Sequence, residues 1–164
     1  MKAILNTKHS MIVDEHFLFA GTVFVSKKPC LITTVLGSCV SICLWDSEKN
    51  IGGMNHYQLP FWNGNGLASP KYGNVAIKTL IEKMYSRGCQ PSQLIAKIFG
   101  GASVLQCAEN NFVVGKRNIH VAQLLLEEMK ISVMSSDLGG DYGRKLKFNT
   151  KTGEVFMKRI INNQ

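Results

Sequence analysis

Thr33 to His56 reads TTVLGSCVSICLWDSEKNIGGMNH, and the way its two halves pair decides what kind of sheet this chain builds. Val40, Ile42 and Leu44 alternate with Ser41, Cys43 and Trp45, which is the periodicity of a strand. Asp46 to Asn50 is a polar turn and Ile51 to Leu59 a second extended run, so a β-hairpin is expected. If Asp46 stands opposite Ile51, then Ser41 faces His56, and Cys39 lies one diagonal step away on the same face of the sheet. A slip of one residue would send Cys39 and His56 to opposite faces, so register rather than linear spacing controls whether they meet.

A cysteine beside a histidine has an obvious chemical use. A free thiol is mostly protonated at neutral pH, and an imidazole that takes its proton and keeps the positive charge stabilises the thiolate and lowers its pKa. Gly37 and Ser38 let the backbone turn sharply before Cys39 and present amide N–H groups near the sulfur, where a tetrahedral oxyanion would form. That arrangement suits attack on an acyl group. The plainer reading is that Cys39 heads a strand as a core residue and that His56 is a satisfied structural side chain. Cys39, Cys43 and His56 could also ligate a metal, but a fourth ligand is not evident.

The string LGSCVSICLWD followed by IGGMNHYQLP resembles the core signature of the CheD family, the chemoreceptor glutamine deamidases of bacterial chemotaxis. The likeness continues through AKIFGGASVL, VGKRNI and DLGGDYGRKLKFNTKTGEV, so it covers about residues 20 to 160. It implies Cys39 as nucleophile, His56 as base and Thr33 as the third member of the site. Thr34 stands beside Thr33, and alternation puts the two side chains on opposite faces; periodicity leaves both open, and the resemblance selects Thr33. The family often has a glycine where this chain has Val35, and the first twenty residues match poorly.

With 164 residues, the chain is expected to form one domain over 1–164, large enough for a sizeable core. Hydrophobic content of 45% with 18% charged residues is a globular composition, and no apolar run approaches the roughly 20 residues of a membrane span. Polar residues interrupt the N-terminal stretch before any secretory h-region forms, so the cytoplasm is expected. Five cysteines with no CxxC pair argue against a disulfide framework or a zinc ribbon. The net charge of +8 would favour acidic partners or, weakly, nucleic acid, but no aromatic-basic interleaving marks an RNA-binding surface.

The remaining elements follow from pattern. Gly21 to Ser26 and Leu31 to Leu36 read as strands; 60–71 is a surface loop carrying Phe61 and Trp62 beside the site; Ser69-Pro70 can open a helix with Val75, Ile77, Leu80, Ile81 and Met84 inward. Leu94 to Phe99 is a buried strand that runs into Gly100-Gly101-Ala102-Ser103, a turn where backbone can approach a ligand closely. Arg117 to Lys130 is a second helix with Val121, Leu125 and Met129 on one stripe and His120 partly exposed or capping. Ile131 to Met134 is a strand, Asp137 to Asp141 a turn, and Arg144 to Phe148 with Glu154 to Arg159 a closing hairpin. The fold class is therefore α+β, and the resemblance implies a layered α/β sandwich with a mostly antiparallel sheet and two main helices.

The function implied is hydrolysis of a glutamine carboxamide on the cytoplasmic helices of a chemoreceptor, with Gly37 and Ser38 shaping the oxyanion turn and no metal or cofactor required. A second possibility is a non-catalytic regulatory module that binds a CheC-type phosphatase. A third, transglutaminase-like transfer, uses the same Cys39 and His56 and differs in the acceptor that resolves the thioester.

Overall fold

The computed structural model describes residues 13–103 and 109–161, with side chains omitted at 109–112. Asp46 pairs with Ile51, Leu44 with Gly53 and Cys43 with Met54, so the hairpin closes in the expected register. We number its strands β4 (Val40–Asp46) and β5 (Ile51–His56). Asp46 itself caps the turn, its Oδ1 accepting the backbone N–H of Glu48 at 3.0 Å and of Lys49 at 3.1 Å. Such Asx geometry competes with strand continuation and forces the reversal. Beyond β5, Val40 and Tyr57 still exchange both backbone bonds, at 3.1 and 3.0 Å, which carries the register past the position where Ser41 faces His56.

Two sheets result. β2 (Thr22–Ser26), β5, β4, β6 (Leu94–Gly100) and β7 (Ser132–Leu138) form a five-stranded sheet in that order. β1 (Asp14–Phe17), β3 (Cys30–Leu36), β8 (Gly143–Asn149) and β9 (Val155–Ile160) form a four-stranded one. The β1–β3 and β6–β7 pairings are parallel and the other described pairings antiparallel, in keeping with a mostly antiparallel α+β sandwich.

Alternation along β4 explains the layering. Val40, Ile42 and Leu44 point to one side and join Ile77, Leu80, Ile81 and Met84 of α1 (Gly73–Tyr85) with Val121 and Leu125 of α2 (Glu109–Glu128). Cys43 points to the other side, where it meets Met54, Phe99, Ile32, Leu36, Leu146 and Phe148 between the two sheets. The order is helices, five-stranded sheet, four-stranded sheet, with an apolar layer at each junction, as sheets with one buried face on each side require.

Several boundaries differ from the sequence reading. α1 begins at Gly73 rather than at Ser69-Pro70, because the Leu59 carbonyl accepts the Gly73 N–H at 2.7 Å and the Pro60 carbonyl that of Asn74 at 3.2 Å. Those carbonyls satisfy amide donors that every helix start leaves open. α2 starts eight positions earlier than Arg117, at Glu109, and Met129 lies beyond its last turn and is exposed rather than on the buried stripe. β7 runs on to Leu138 because it pairs in parallel with β6 from Ile95 to Gly100, so Asp137 belongs to a strand and the turn falls at Gly139-Gly140. β1 was not anticipated: its DEHF sequence has no apolar alternation, and it holds its place as an edge strand against β3. Cys107 and the first twelve residues lie outside the described residues.

Candidate active site

Cys39 sits at the mouth of the inter-sheet layer, half-buried and packed against its apolar cluster. The other described cysteines, Cys30, Cys43 and Cys89, are buried. His56, at 5% exposure, ends β5 with the same parity as Met54, so its ring enters the same layer. The expected register thus brings Cys39 and His56 to one face.

The turn before Cys39 is held from outside. Gly37 O accepts the Ala102 N–H at 3.0 Å, Ser38 O accepts Asn118 Nδ2 at 3.0 Å, and Cys39 O accepts the Gly101 N–H at 2.9 Å. Gly100 and Gly101 are in left-handed conformations with φ of 116° and 72°, and a Cβ on Gly100 would collide with Cys39 O. The close approach read into this turn is therefore to the backbone of Cys39. Because a trans peptide points its N–H opposite its carbonyl, anchoring the Gly37 and Ser38 carbonyls turns the N–H groups of Ser38 and Cys39 the other way. The backbone N–H of Cys39 pulls its own thiol toward the thiolate, a smaller effect than burial, which raises its pKa.

The hydroxyl on His56 belongs to Thr34, not Thr33. Thr34 Oγ1 lies 2.8 Å from His56 Nδ1 and 2.7 Å from the Leu18 carbonyl, in a fully buried position. Thr34 shares the inward parity of Ile32 and Leu36, whereas Thr33 shares that of Leu31 and Val35, which is 43% exposed on the outer face. The expectation that Thr33 touches the histidine is corrected on that ground. Apolar residues flank both parities of β3, so the sequence held no signal to separate them.

These contacts fix the tautomer of His56. A hydroxyl has one hydrogen, and Leu18 O can only accept, so Thr34 Oγ1 receives its second bond from a protonated Nδ1. Nε2 is left as the basic nitrogen. Burial lowers the His56 pKa from 6.5 to about 4, against a smaller upward pull from the Leu18 backbone. Burial also pushes the Cys39 thiol above its ordinary 9.0. Desolvation penalises both charged forms, so the resting pair is thiol and neutral imidazole. Both shifts favour the neutral forms over the thiolate-imidazolium pair expected from sequence.

Two features outside the expected triad support the site. Asn118, fully buried on α2, donates from Nδ2 to Ser38 O and to Gln58 O, each at 3.0 Å. It occupies the stripe of Val121, Ala122 and Leu125, and a polar residue on an otherwise apolar stripe is a readable signal. At the far side of the Gly100 turn, the buried Arg144 pairs with Asp137 at 2.6 Å and donates to Gly139 O at 2.8 Å. Gly139 in turn donates its N–H to Gly100 O at 2.9 Å. His120 is exposed, and among the described residues no group of acidic, histidine and cysteine side chains could hold a metal. Phe61 is exposed, and Trp62 is tied into its loop through Nε1 to Asn65 O at 3.0 Å.

The family described as CheD chemotactic sensory transduction matches residues 59–159. A protein of Trichlorobacter lovleyi named probable chemoreceptor glutamine deamidase CheD is 48% identical over 147 residues, covering 90% of this chain and 91% of that one. Its namesake in Sulfurimonas denitrificans is 48% identical over 151 residues, with 92% and 97% covered. Another, in Methanococcus maripaludis, is 40% identical over 139 residues, with 84% and 90% covered. Among solved structures, the Bacillus licheniformis hypothetical protein YfiH aligns with a TM-score of 0.46 at 13% identity, over 70% of this chain and 49% of that one. With the family match spanning most of the chain and near-complete alignment to the first two relatives, the chain belongs to the CheD family.

Proposed function

We propose that this protein deamidates glutamine side chains of chemoreceptors, with Cys39 as nucleophile and His56 as the base and later the acid. The observation that carries the reading is the Thr34 contact, because it leaves His56 Nε2 unprotonated on the sheet face that Cys39 shares. The thiol sulfur bonds to the carboxamide carbon as the C=O pair moves onto oxygen, and the thiol proton passes to Nε2. Collapse of the intermediate breaks the C–N bond, the imidazolium returns its proton to nitrogen, and ammonia leaves a thioester. Water then adds by the same route, giving glutamate and regenerating the thiol. The N–H groups of Ser38 and Cys39 stabilise the oxyanion in both halves.

The role of Thr33 passes to Thr34 in this reading, as a positioning residue for the imidazole. The names of the relatives support chemoreceptors as substrate, and a reaction on their cytoplasmic helices supports the cytoplasm as its compartment. No described helix is long and apolar enough to cross a membrane. The family is likewise the support for a CheC-type phosphatase as a second partner.

Iodoacetamide labelling tests the assignment. Cys39 should be alkylated before the buried Cys30, Cys43 and Cys89, and loss of ammonia release from receptor helices should track its labelling alone. Full activity with Cys39 alkylated would end the proposal.

A further inference from the structure

We infer that Asn118 is a positioning residue for the oxyanion site, acting by fixing the plane of the Ser38–Cys39 peptide. The inference rests on the deamidase reading and adds a residue to it. Asn118 Nδ2 donates to Ser38 O and Gln58 O at 3.0 Å each, so one amide joins the turn before the nucleophile to the chain just after His56. Both partners are carbonyls, which leaves no freedom to exchange the amide's nitrogen and oxygen.

The helix cannot drift away from this contact. Tyr57, fully buried and bridged to Val40, donates its hydroxyl to the Asn118 carbonyl at 2.6 Å. One turn earlier, a Cβ on Gly115 would come within 2.6 Å of Gly101 O, so α2 packs backbone to backbone on the turn that holds Cys39 O. Asn118 Oδ1 is itself buried without a partner among the described groups. An unpaired buried acceptor costs about 1–3 kcal/mol. An apolar residue would avoid that cost, and so the residue's use lies in its two donated bonds.

The consequence follows from peptide planarity. With Ser38 O directed at α2, the N–H of the same peptide, which is that of Cys39, is directed away from α2. When the sulfur bonds to a carboxamide carbon and the C=O pair moves onto oxygen, this N–H is in place to donate to the oxyanion. Rotation of the peptide would withdraw it without removing the sulfur or the imidazole.

The test separates reactions that form an oxyanion from one that does not. Iodoacetamide alkylation joins sulfur to carbon and expels iodide, with no charge developing on oxygen. Asn118→Ala and the isosteric Asn118→Asp should each lower kcat for ammonia release from receptor cytoplasmic helices by about 10- to 100-fold, with KM within about threefold. The limiting alkylation rate of the ionised Cys39 thiol, reached at high pH, should stay within about twofold of the parent protein, since no oxyanion forms there. Parallel loss of both rates, or loss of the folded circular dichroism spectrum in both variants, would make Asn118 a structural residue and overturn the proposal. Unchanged kcat in a folded variant would also overturn it. If the parent protein releases no ammonia, the deamidase reading itself fails, and a defect confined to the variants is thereby distinguished from it.

Discussion

Thr34 has one hydroxyl hydrogen, and its 2.7 Å contact with Leu18 O uses it, so the protonation of His56 is set by a neutral neighbour rather than by a carboxylate. Thr34→Val keeps the shape and removes the acceptor. Turnover should fall about tenfold, the worth of one hydrogen bond of about 1.4 kcal/mol, while Thr33→Val should change it less than about twofold. Equal effects in steady-state assays would contradict the assignment. The pH profile gives a second check. A base must be neutral, and burial holds His56 near pH 4 instead of 6.5, so the acid limb of kcat/KM should lie well below the ordinary histidine range. Stability has the same sign: the unfolded chain takes up this proton near 6.5 and the folded one near 4, so stability falls as pH drops through that window. Rates must therefore be read where circular dichroism shows the fold intact. An acid limb at 6.5 would show a solvated imidazole in the working enzyme.

The elements divide into those that periodicity exposes and those that depend on distant partners. The β4–β5 hairpin was legible because its turn carries Asp46 as a local acceptor and its strands alternate cleanly. The inward face of β3 was not, since Leu31 and Val35 are as apolar as Ile32 and Leu36, and only pairing with β8 and contact with the other sheet choose between them. The Gly100-Gly101 turn was recognised as a place of close approach, yet the approaching group is the Cys39 carbonyl from a distant segment of the chain. Gly100→Ala tests that link. A side chain at φ of 116° is strained and meets Cys39 O, so the variant should lose about 1–3 kcal/mol of stability. Activity should fall further than the folded fraction accounts for, because the turn before Cys39 must shift. Loss of activity only in proportion to unfolding, measured by denaturant titration, would deny the coupling.

Across the whole molecule, the site lies where two sheets and one helix converge, with a charge cluster of Asp137, Arg144 and Arg159 beside it. Burial pushes the Asp137 carboxyl upward, but hydrogen bonds from Arg144 and Tyr142 and the charge of Arg144 outweigh it and hold the group below its ordinary 3.8. Arg144 is buried, whereas Arg159, 3.4 Å from the other oxygen of Asp137, is 55% exposed. Asp137→Ala should therefore cost about 3–5 kcal/mol by leaving a buried guanidinium without its carboxylate. Arg159→Ala should cost less than about 1 kcal/mol. Comparable urea midpoints for the two would refute the distinction. The central claim is that Cys39 performs the chemistry, and peptide mapping of receptor cytoplasmic helices after incubation with the Cys39→Ala protein tests it most directly. The account expects every glutamine that the parent protein converts to remain glutamine, with receptor capture retained; conversion to glutamate by Cys39→Ala would contradict it.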